Sequence, residues 1–446
     1  MTKTVIIGSN HAGIAAGNVL LDKYEDQEVV MIERNSNFSY LSCGTALWVG
    51  RQIDEDEVPG LFYTNREDFE AKGAKVYLET AVDNIDFEKK EVHCVKSDGS
   101  EFVESYDKLI IATGSKPISP KVPGRELKNI TFMKKYAEGE FIDGILDSDE
   151  IQNVAVIGAG YIGVEMAEAV KRRGKNVLLF DAMDRSLPSY YDREFTDAMD
   201  KNLADNGVEL HLGELVQEYK GTDKVEAVVT ANGEYPVDLV VNAIGFLPNS
   251  ELGKDHLHLY KNGAYLVNRH QRTNDPDVYA VGDCATVYSN ALQDTTYIAL
   301  ATNAVRTGMV AGENIGGAAI SSPGVQGSNG ISIFGYNMVS TGYSVEAAER
   351  HGLVVKYTDF EDTQKPGFMK KNDKVKIRIV YEANTRRIVG AQIASTTSEI
   401  SMAIHLFSLA IERGVKIDEL ALLDLFFLPH FNQPYNYINK AALAAE

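Results

Sequence analysis

The sequence predicts an α/β protein with two Rossmann-like nucleotide-binding domains followed by a C-terminal α+β domain. Two observations predict this fold class. A strand, a glycine-rich turn, a helix and a second strand occur in the same order twice, with the turns about 150 residues apart. From about residue 323 the pattern changes to strands that suit an antiparallel sheet, followed by a helix.

The first repeat begins at the N-terminus. An apolar strand over residues 4–7 leads into the turn Gly8-Ser9-Asn10-His11-Ala12-Gly13, a helix to about Leu21, and a strand over residues 28–32 that ends at Glu33. An acidic residue some 20 positions after such a turn is typical of a dinucleotide-binding βαβ unit, because its carboxylate accepts hydrogen bonds from ribose hydroxyls.

The second repeat has the same parts. A strand over residues 153–157 is followed by Gly158-Ala159-Gly160-Tyr161-Ile162-Gly163, a helix to about Arg173, and a strand over residues 176–180 that ends at Asp181. In such a turn the first glycine allows the tight bend, the second lets a pyrophosphate approach, and the third lets helix and strand pack closely. The helix N-terminus then binds the pyrophosphate. The second match is complete, whereas the first has Asn10 in place of the middle glycine.

Further strands complete the predicted organisation. Apolar segments over residues 109–115, 239–245 and 277–283 each end in a turn of small residues, and the C-terminal part contains strands over 375–381 and 388–393 and a helix over 400–413. The predicted domains are a discontinuous first nucleotide-binding domain (1–115 and 246–322), a second nucleotide-binding domain (116–245) and a C-terminal domain (323–446).

Composition excludes several classes of function. The net charge of -20 argues against nucleic acid and anionic membranes as partners, and no apolar run approaches the roughly 18 to 20 residues of a membrane span. The first strand leaves no room for a signal peptide. The three cysteines, Cys43, Cys94 and Cys284, are too widely spaced for a disulfide framework or a zinc site. We therefore expect a cytoplasmic protein without a metal.

Cys43 is the residue that narrows the function most. It lies in Phe38-Ser39-Tyr40-Leu41-Ser42-Cys43-Gly44, ten residues beyond Glu33, and no second cysteine is near it in sequence. A solitary thiol forms no local disulfide, but it can cycle between thiolate and sulfenic acid. That chemistry consumes peroxide or oxygen.

These features together resemble the pyridine nucleotide-disulfide oxidoreductase superfamily, and in particular its single-cysteine branch. The resemblance extends over essentially the whole chain, with the water-forming NADH oxidases of that branch as the best match. It is carried by the segments Gly8–Gly13, Leu41–Gly44, Tyr279–Thr286, Val325–Gly330 and Leu425–Asn432. It implies a glutathione reductase-like fold, FAD and NADH as cofactors, and a homodimer formed through the C-terminal domain. The implied reaction is 2 NADH + O2 + 2 H+ to 2 NAD+ + 2 H2O through a thiolate and sulfenic acid cycle at Cys43.

The resemblance also implies roles for individual residues. Cys43 and His11 are the implied catalytic residues, with possible support from His430 of a partner subunit. Glu33 binds the adenosine ribose of FAD, Asp283 its ribityl chain, and Lys134 its phosphate or adenosine part. The implied FAD-binding residues are Gly8, Asn10, His11, Ala12, Glu33, Arg34, Cys43, Val82, Thr113, Gly114, Lys134, Asp283, Ala299, Leu300, Ala301, Thr302 and Phe427.

For NADH, Asp181 binds the adenosine ribose and disfavours the 2′-phosphate of NADPH, because two negative charges repel. Tyr190 stacks on the adenine, and Tyr161 covers the flavin until NADH arrives. The implied NAD-binding residues are Gly158, Gly160, Tyr161, Ile162, Gly163, Asp181, Tyr190, Gly245 and Gly330. A helix starting near Ala299 would direct its N-terminus at the flavin.

Four other functions remain open from the sequence. NADH peroxidase shares the flavin, NADH and cysteine but takes peroxide as its acceptor. Coenzyme A disulfide reductase uses the cysteine in a mixed disulfide, although Phe431-Asn432-Gln433-Pro434-Tyr435 fits it poorly. The different classes are a reductase that passes electrons to a partner protein, which needs no cysteine beside its flavin, and a redox sensor whose Cys43 reports oxidant.

Overall fold

Three five-stranded sheets organise the chain in the computed structural model, which describes residues 1–446 apart from the side chain of Glu55. The strands are β1 (Thr2–Ile7), β2 (Gln27–Ile32), β3 (Lys75–Tyr77), β4 (Thr80–Asp86), β5 (Glu91–Lys96), β6 (Glu101–Ser105), β7 (Lys108–Ile111), β8 (Ser115–Pro117), β9 (Ile130–Phe132), β10 (Asn153–Ile157), β11 (Asn176–Asp181), β12 (Val208–Leu212), β13 (Glu218–Lys220), β14 (Ala227–Val229), β15 (Glu234–Pro236), β16 (Leu239–Asn242), β17 (Phe246–Pro248), β18 (Val278–Ala280), β19 (Val287–Ser289), β20 (Asp294–Thr296), β21 (Asn329–Ile333), β22 (Tyr336–Gly342), β23 (Val355–Thr363), β24 (Lys374–Glu382) and β25 (Ile388–Ser395).

The helices are α1 (His11–Lys23), α2 (Thr45–Val49), α3 (Arg66–Ala71), α4 (Tyr136–Leu146), α5 (Tyr161–Arg172), α6 (Arg193–Asp205), α7 (Ala301–Ile315), α8 (Val345–Arg350), α9 (Ile400–Arg413), α10 (Ile417–Ala421) and α11 (Tyr437–Leu443). Short 3-10 turns cover Ser42–Gly44, Glu55–Leu61 and Gly282–Cys284. None of the helices in the described part of the chain combines the length and apolar character that a membrane span needs.

The first sheet has the strand order β18-β7-β1-β2-β3, and all its pairings are parallel. Its central strands are buried on both faces. Helices α1 and α7 cover one face, and residues of β4 and β5 with Leu257 and Tyr265 cover the other, which explains the continuous apolar sequence of these strands. The first repeat predicted from the sequence is found here as β1, α1 and β2.

The second sheet has the order β12-β11-β10-β16-β9 and is also parallel. It contains the second predicted repeat as β10, α5 and β11. The chain enters and leaves this unit through the antiparallel pair of β8 and β17, close to the predicted boundaries at residues 115 and 246.

The third sheet, β21-β22-β25-β24-β23, is antiparallel, as the C-terminal pattern predicts. The helix predicted over residues 400–413 is α9, which packs its apolar face on this sheet. A buried ion pair joins the third sheet to the second unit. The Arg378 guanidinium of β24 lies 3.2 Å from the carboxylate of Asp192. It also contacts the carboxylate of Glu194 in the first turn of α6.

The helix predicted to start near Ala299 begins two residues later. Leu300 has φ -140° and ψ 142°, so it is an extended N-cap and α7 starts at Ala301. Residues 299 and 300 therefore approach the cleft as extended backbone rather than as the first turn of a helix.

Helices α1 and α7 touch through their backbones. A Cβ added at Gly308 of α7 would lie 2.2 Å from the carbonyl oxygen of Ala12 in α1. Because that oxygen belongs to a buried backbone, it has no free direction in which to move. This contact fixes the position of α1, whose first turn faces the nucleotide site.

We expect Gly308→Ala to lower the free energy of unfolding by about 1–3 kcal/mol, because the added methyl group forces the two helices apart. Gly144→Ala is the matched control: Gly144 is also a helical glycine, but nothing lies within 4 Å of its would-be Cβ. The control should be neutral or stabilising by up to about 1 kcal/mol. Denaturation midpoints of the two variants measure the difference, and equal midpoints would contradict the close-packing argument.

Candidate functional site

One cleft of about 1820 Å³ runs along the carboxyl ends of both parallel sheets and reaches the third sheet. Binding sites of open α/β sheets lie at this edge. Most of the residues predicted to bind the two nucleotides line it: Gly8, Asn10, His11, Ala12, Glu33, Arg34, Cys43, Val82, Thr113, Gly114, Lys134, Asp283, Ala299, Leu300, Ala301, Thr302, Gly158, Gly160, Tyr161, Ile162, Asp181, Tyr190, Gly245 and Gly330.

Three predicted site residues lie outside the lining of this cleft. Gly163 is turned into the unit, where a Cβ would lie 1.7 Å from the carbonyl oxygen of Gly158, so its function is helix-to-strand packing rather than ligand contact. Phe427 and His430 follow α10 in the C-terminal segment, and Phe427 is 47% exposed. A contribution of these two residues to the cleft of a partner subunit stays a prediction.

The first glycine-rich turn has the features that an adenine dinucleotide requires. The buried carboxylate of Glu33 is held by four bonds: its Oε2 accepts from the N–H and the hydroxyl of Ser9, at 3.0 and 3.1 Å, and its Oε1 accepts from the N–H and side-chain amide of Asn35. Gly8 has φ +111°, in the region that favours glycine. The residues present therefore fit the adenosine part of FAD.

The first turn keeps its conformation although Asn10 replaces the middle glycine. It is the N-cap of α1 with φ -100° and ψ -168°, an extended conformation that any residue adopts. At the matching position of the second turn, Gly160 has φ -75° and open space around its would-be Cβ. This position tolerates a side chain in both turns, so asparagine there costs little.

The second turn repeats the arrangement of the first. The Asp181 carboxylate accepts hydrogen bonds from the N–H groups of Ala159, at 2.6 Å, and Met183, at 2.7 Å. The rings of Tyr161 and Tyr190 meet edge to face, with 4.7 Å between their centroids. Both rings line the same cleft as Asp181 and Cys43.

Cys43 lies in the turn Ser42–Gly44 and is exposed to the cleft. Protein atoms crowd the thiol on its other sides, and this desolvation raises its pKa; the negative charges of Glu165 and Asp283 raise it further. Lys134 acts in the opposite direction. In the chain itself the thiol is therefore protonated at neutral pH, and the reactive thiolate needs additional stabilisation.

Lys134 lies at the Cys43 part of the cleft. Its ammonium group donates to the hydroxyl of Ser115 at 2.8 Å, lies 3.7 Å from the Asp283 carboxylate and sits over the ring of Phe246. Burial lowers the pKa of Lys134, and Asp283 and Cys43 oppose that shift. The contacts with Ser115 and Asp283 place the charge of Lys134 where it acts on the thiol, and contact of Lys134 with the phosphate or adenosine part of FAD stays a prediction.

Glu165 is a site residue that the sequence analysis did not identify. It lies on α5 one turn after Tyr161 and lines the same cleft. Burial raises the pKa of Glu165 to about 7, and the carboxylate of Glu168 adds to the shift. Residues four apart lie on the same face of a helix, so the spacing of Glu165 from Tyr161 could have identified Glu165 from the sequence.

His11 is held by Tyr63. The Nδ1 atom of His11 lies 3.2 Å from the Tyr63 hydroxyl, and the two rings are stacked 5.6 Å apart. Burial lowers the pKa of His11, so the ring is neutral at pH 7, while burial raises the pKa of Tyr63 to about 12 and keeps its hydroxyl a donor. The Nε2 atom is buried and has no partner among the described residues.

His11 and Cys43 line the same cleft, but they form no hydrogen bond with each other within the described residues. Tyr63 was missed because a single tyrosine in a loop carries no periodic signal.

In the described part of the chain, no group of three or more histidine, cysteine or acidic side chains has the arrangement of a metal site.

We expect alkylation of Cys43 in the flavin-free protein to follow a pKa above the ordinary value of about 8.5. Glu165→Gln should lower this pKa, because it removes a negative charge that opposes the thiolate, and Lys134→Met should raise it. Cys94 and Cys284 are 1% and 0% exposed and should not react. The pH dependence of iodoacetamide incorporation measures the shifts.

The control for these charge changes is Glu70→Gln, on the outer face of α3, where Glu70 pairs with Arg66. It should leave the profile unchanged. If Glu165→Gln and Lys134→Met moved the profile in the same direction, the electrostatic account of the thiol would be wrong.

Comparison with known proteins agrees with this site. Residues 2–308 match the pyridine nucleotide-disulphide oxidoreductase family, and residues 330–436 match its dimerisation domain. The chain is 60% identical to an NADH oxidase of Lactococcus lactis subsp. cremoris, with 100% of both chains covered. Its structure is similar to that of a water-forming NADH oxidase from Lactobacillus brevis bound to NADH, with a TM-score of 0.96 and 36% identity, covering 100% of this chain and 98% of the other.

An engineered water-forming NADPH oxidase derived from the Lactobacillus brevis enzyme is similar as well, with a TM-score of 0.96 and 35% identity, covering 99% of this chain and 98% of the other. The predicted fold class, two nucleotide-binding domains and a C-terminal dimerisation domain, is confirmed by these matches. With one family matched over residues 2–308 and its dimerisation domain over 330–436, the chain belongs to the pyridine nucleotide-disulphide oxidoreductase family.

Proposed function

We propose that the chain is an FAD-dependent NADH oxidase that reduces O2 by four electrons to water. Family membership implies the two cofactors that the sequence predicts, FAD and NADH. The relatives named as NADH oxidases support an oxidoreductase that uses NADH. The observation that carries the cysteine cycle is Cys43, a single exposed thiol in a cleft lined by both dinucleotide turns, with the other two cysteines buried, and the relatives named NADH oxidase support oxygen as the acceptor.

The cofactor sites follow from the two turns. FAD fits the turn between Gly8 and Gly13, with Glu33 at its ribose, and NADH fits the turn between Gly158 and Gly163, with Asp181 at its ribose. Bound FAD supplies the redox chemistry that lets electrons pass from NADH to oxygen. The protein positions both nucleotides and surrounds the cysteine with charge.

The proposed reaction at Cys43 needs no reactant other than NADH, O2 and protons. The first NADH and a proton reduce O2 to hydrogen peroxide. The Cys43 thiolate attacks one peroxide oxygen, the O–O bond breaks, and the leaving hydroxide takes a proton to become water. A second NADH supplies the electron pair that returns the sulfenic acid to thiolate and releases the second water.

His11 and Lys134 have distinct roles in this proposal. In the tautomer in which the Tyr63 hydroxyl donates to Nδ1, the proton of the neutral His11 ring is on Nε2, the atom without a partner among the described residues. Because Nε2 is buried, a hydrogen bond from it to the leaving oxygen or to the sulfenate requires the ring to turn toward the cleft. Lys134 stabilises the thiolate through its charge.

The assembly and location remain predictions. A dimerisation domain supports a homodimer, in which Phe427 and His430 of the partner subunit would complete the cleft. Oxygen as the acceptor and the cytoplasm as the location are inferences from the sequence and its relatives.

NADH peroxidase is the second candidate function. The solitary Cys43 would reduce added peroxide by the same sulfenic acid cycle, so the cysteine alone favours both activities equally. The two differ in whether oxygen or added peroxide is consumed, and a measurement of oxygen separates them.

We expect two NADH to be consumed for each O2 in an oxygen electrode, with no oxygen returned when catalase is added, because both electron pairs end in water. Cys43→Ser should change the ratio toward one and return oxygen with catalase, because the peroxide is then released. Cys94→Ser is the matched control for a buried cysteine. A Cys43→Ser enzyme that still forms water without peroxide would contradict the cysteine cycle.

The expected preference for NADH over NADPH leads to a second prediction. The engineered oxidase bound to NADPH carries substitutions of a glycine, an aspartate, an alanine, a methionine and a proline, spaced 18, 1, 1 and 5 residues apart. The same residue types at the same spacing occur in this chain as Gly163, Asp181, Ala182, Met183 and Pro188.

We expect Asp181→Ala combined with Ala182→Arg to improve kcat/KM for NADPH by about ten-fold or more and to weaken the use of NADH. The change removes a carboxylate that repels the 2′-phosphate and adds a guanidinium that pairs with it. Steady-state kinetics with both nucleotides measures the ratio. Asp205→Ala on the exposed face of α6 is the control and should leave the ratio unchanged.

A further inference from the structure

Glu214 is an acidic residue of the cleft that belongs to neither glycine-rich turn. Strand β12 ends at Leu212, which is paired with Asp181 at the end of β11, so both strands leave the second sheet at the same edge. Just beyond that edge, the N–H of Glu214 donates to the carbonyl oxygen of Asp181 at 2.8 Å, and the N–H of Gly213 donates to that of Met183 at 2.8 Å. Glu214 therefore lies directly beside the segment proposed to bind the ribose of NADH, and it lines the same cleft.

The carboxylate of Glu214 is held in place by its partners. Its Oε2 atom accepts hydrogen bonds from the hydroxyls of Thr230, at 2.8 Å, and Tyr235, at 3.0 Å. Its Oε1 atom lies 3.1 Å from the Nδ1 atom of His211. Burial raises the pKa of Glu214, but the hydrogen bonds from these side chains and from Asn232 outweigh it and lower the pKa to about 2. The side chain is therefore a fixed anion at neutral pH.

Among the described residues, the charge of Glu214 is not cancelled by a lysine or an arginine, because its only ion-pair partner there is His211. The other ring nitrogen of His211 lies 2.9 Å from the carboxylate of Glu209. Since two carboxylates share one imidazole ring, the three side chains together keep a net negative charge whether or not the ring is protonated. The Glu214 side chain is 13% exposed, so its charge acts on the cleft with less screening than a surface carboxylate would have.

Asp181 and Glu214 thus place two negative charges at the part of the cleft where the ribose is expected. A 2′-phosphate, as in NADPH, would be repelled by both, whereas the 2′-hydroxyl of NADH is uncharged. The substituted positions of the engineered NADPH oxidase match Asp181, Ala182 and Met183, and none of the five matches Glu214. A repulsive group that acts only on the wrong ligand adds specificity without strengthening the binding of the right one.

We propose that Glu214 is a second specificity-determining residue for the nicotinamide nucleotide, whose carboxylate beside Asp181 disfavours the 2′-phosphate of NADPH. This inference rests on the proposed use of NADH and names a further residue that sets it. Because Glu214 acts through charge and not through a bond to the nucleotide, its effect should be small for NADH and should weaken as the salt concentration rises.

Substitution of Glu214 separates charge from structure. Glu214→Gln should raise kcat/KM for NADPH about three-fold or more and change kcat/KM for NADH less than about two-fold, because only the 2′-phosphate meets the lost charge. Glu214→Asp keeps the charge and should keep the ratio of the two values within about two-fold of the unmodified enzyme. Glu209→Gln is the matched control. It removes the same charge from the other partner of His211, on a side chain that is 63% exposed and outside the lining of the cleft, and it should leave the ratio unchanged.

Ionic strength provides a test that needs no substitution at Glu214. In Asp181→Ala, the carboxylate of Glu214 is the repulsive charge that remains beside the ribose. The kcat/KM for NADPH relative to NADH should therefore rise about two-fold or more between about 20 and 300 mM salt. Addition of Glu214→Gln should remove most of this rise, whereas addition of Glu209→Gln should keep it. A ratio in Asp181→Ala that does not depend on salt would contradict the proposal.

Steady-state kinetics with both nucleotides measures these ratios, and titration of the flavin-loaded enzyme with 2′-phospho-ADP-ribose and ADP-ribose measures binding without turnover. A shift toward the 2′-phosphate in Glu214→Gln that is absent from Glu214→Asp and Glu209→Gln supports the proposal. An unchanged ratio, an equal shift in either of the other two variants, or an equal loss with both nucleotides overturns it. Failure of the oxidase proposal would appear in the NADH-to-oxygen ratio and would leave these binding constants as they are.

Discussion

The site depends on two places where a helix touches the strand before it without an intervening side chain. A Cβ at Gly13 would lie 1.9 Å from the Gly8 oxygen, and one at Gly163 would lie 1.7 Å from the Gly158 oxygen. Because these positions lack a Cβ, α1 and α5 lie directly against their turns, and their first N–H groups face the cleft. Two nucleotide sites then meet at one cavity, and Cys43 lies between them on a short turn.

Charge is the second constraint on this cavity. The cleft brings Glu165 and Asp283 close to a thiol that has to ionise, and Lys134 is the cation that opposes them. The balance favours the protonated thiol in the chain alone. Since only the thiolate attacks peroxide, reactivity at Cys43 depends on what the bound nucleotides add to the local charge. A thiol that stays protonated until the site is loaded is protected against oxidation without turnover.

The sequence predicted the parts of the fold whose signal is local. The strands and helices of both repeats, the antiparallel C-terminal sheet and α9 follow from apolar periodicity and turn glycines. The start of α7 differed because Leu300 caps it from an extended conformation. Glu165 and Tyr63 were not found, since each obtains its role from partners far away in the chain. The contact of Lys134 with Asp283 was not identified for the same reason, because it joins residues that are distant in sequence.

Asp192 and its neighbours join the second unit to the third sheet beside the cleft. Asp192 exchanges hydrogen bonds with Gln392 at 2.7 and 2.6 Å and pairs with Arg378, and it also accepts from the N–H of Val345 at the start of α8. Tyr191, the next residue in the chain, is therefore anchored on the third sheet. Because a buried charge pair that loses one partner is strongly destabilised, this junction resists separation of the second unit from the third sheet. Tyr161, in the first turn of α5, contacts the Tyr191 hydroxyl over 3.0 Å, so one side of the cleft rests on this junction.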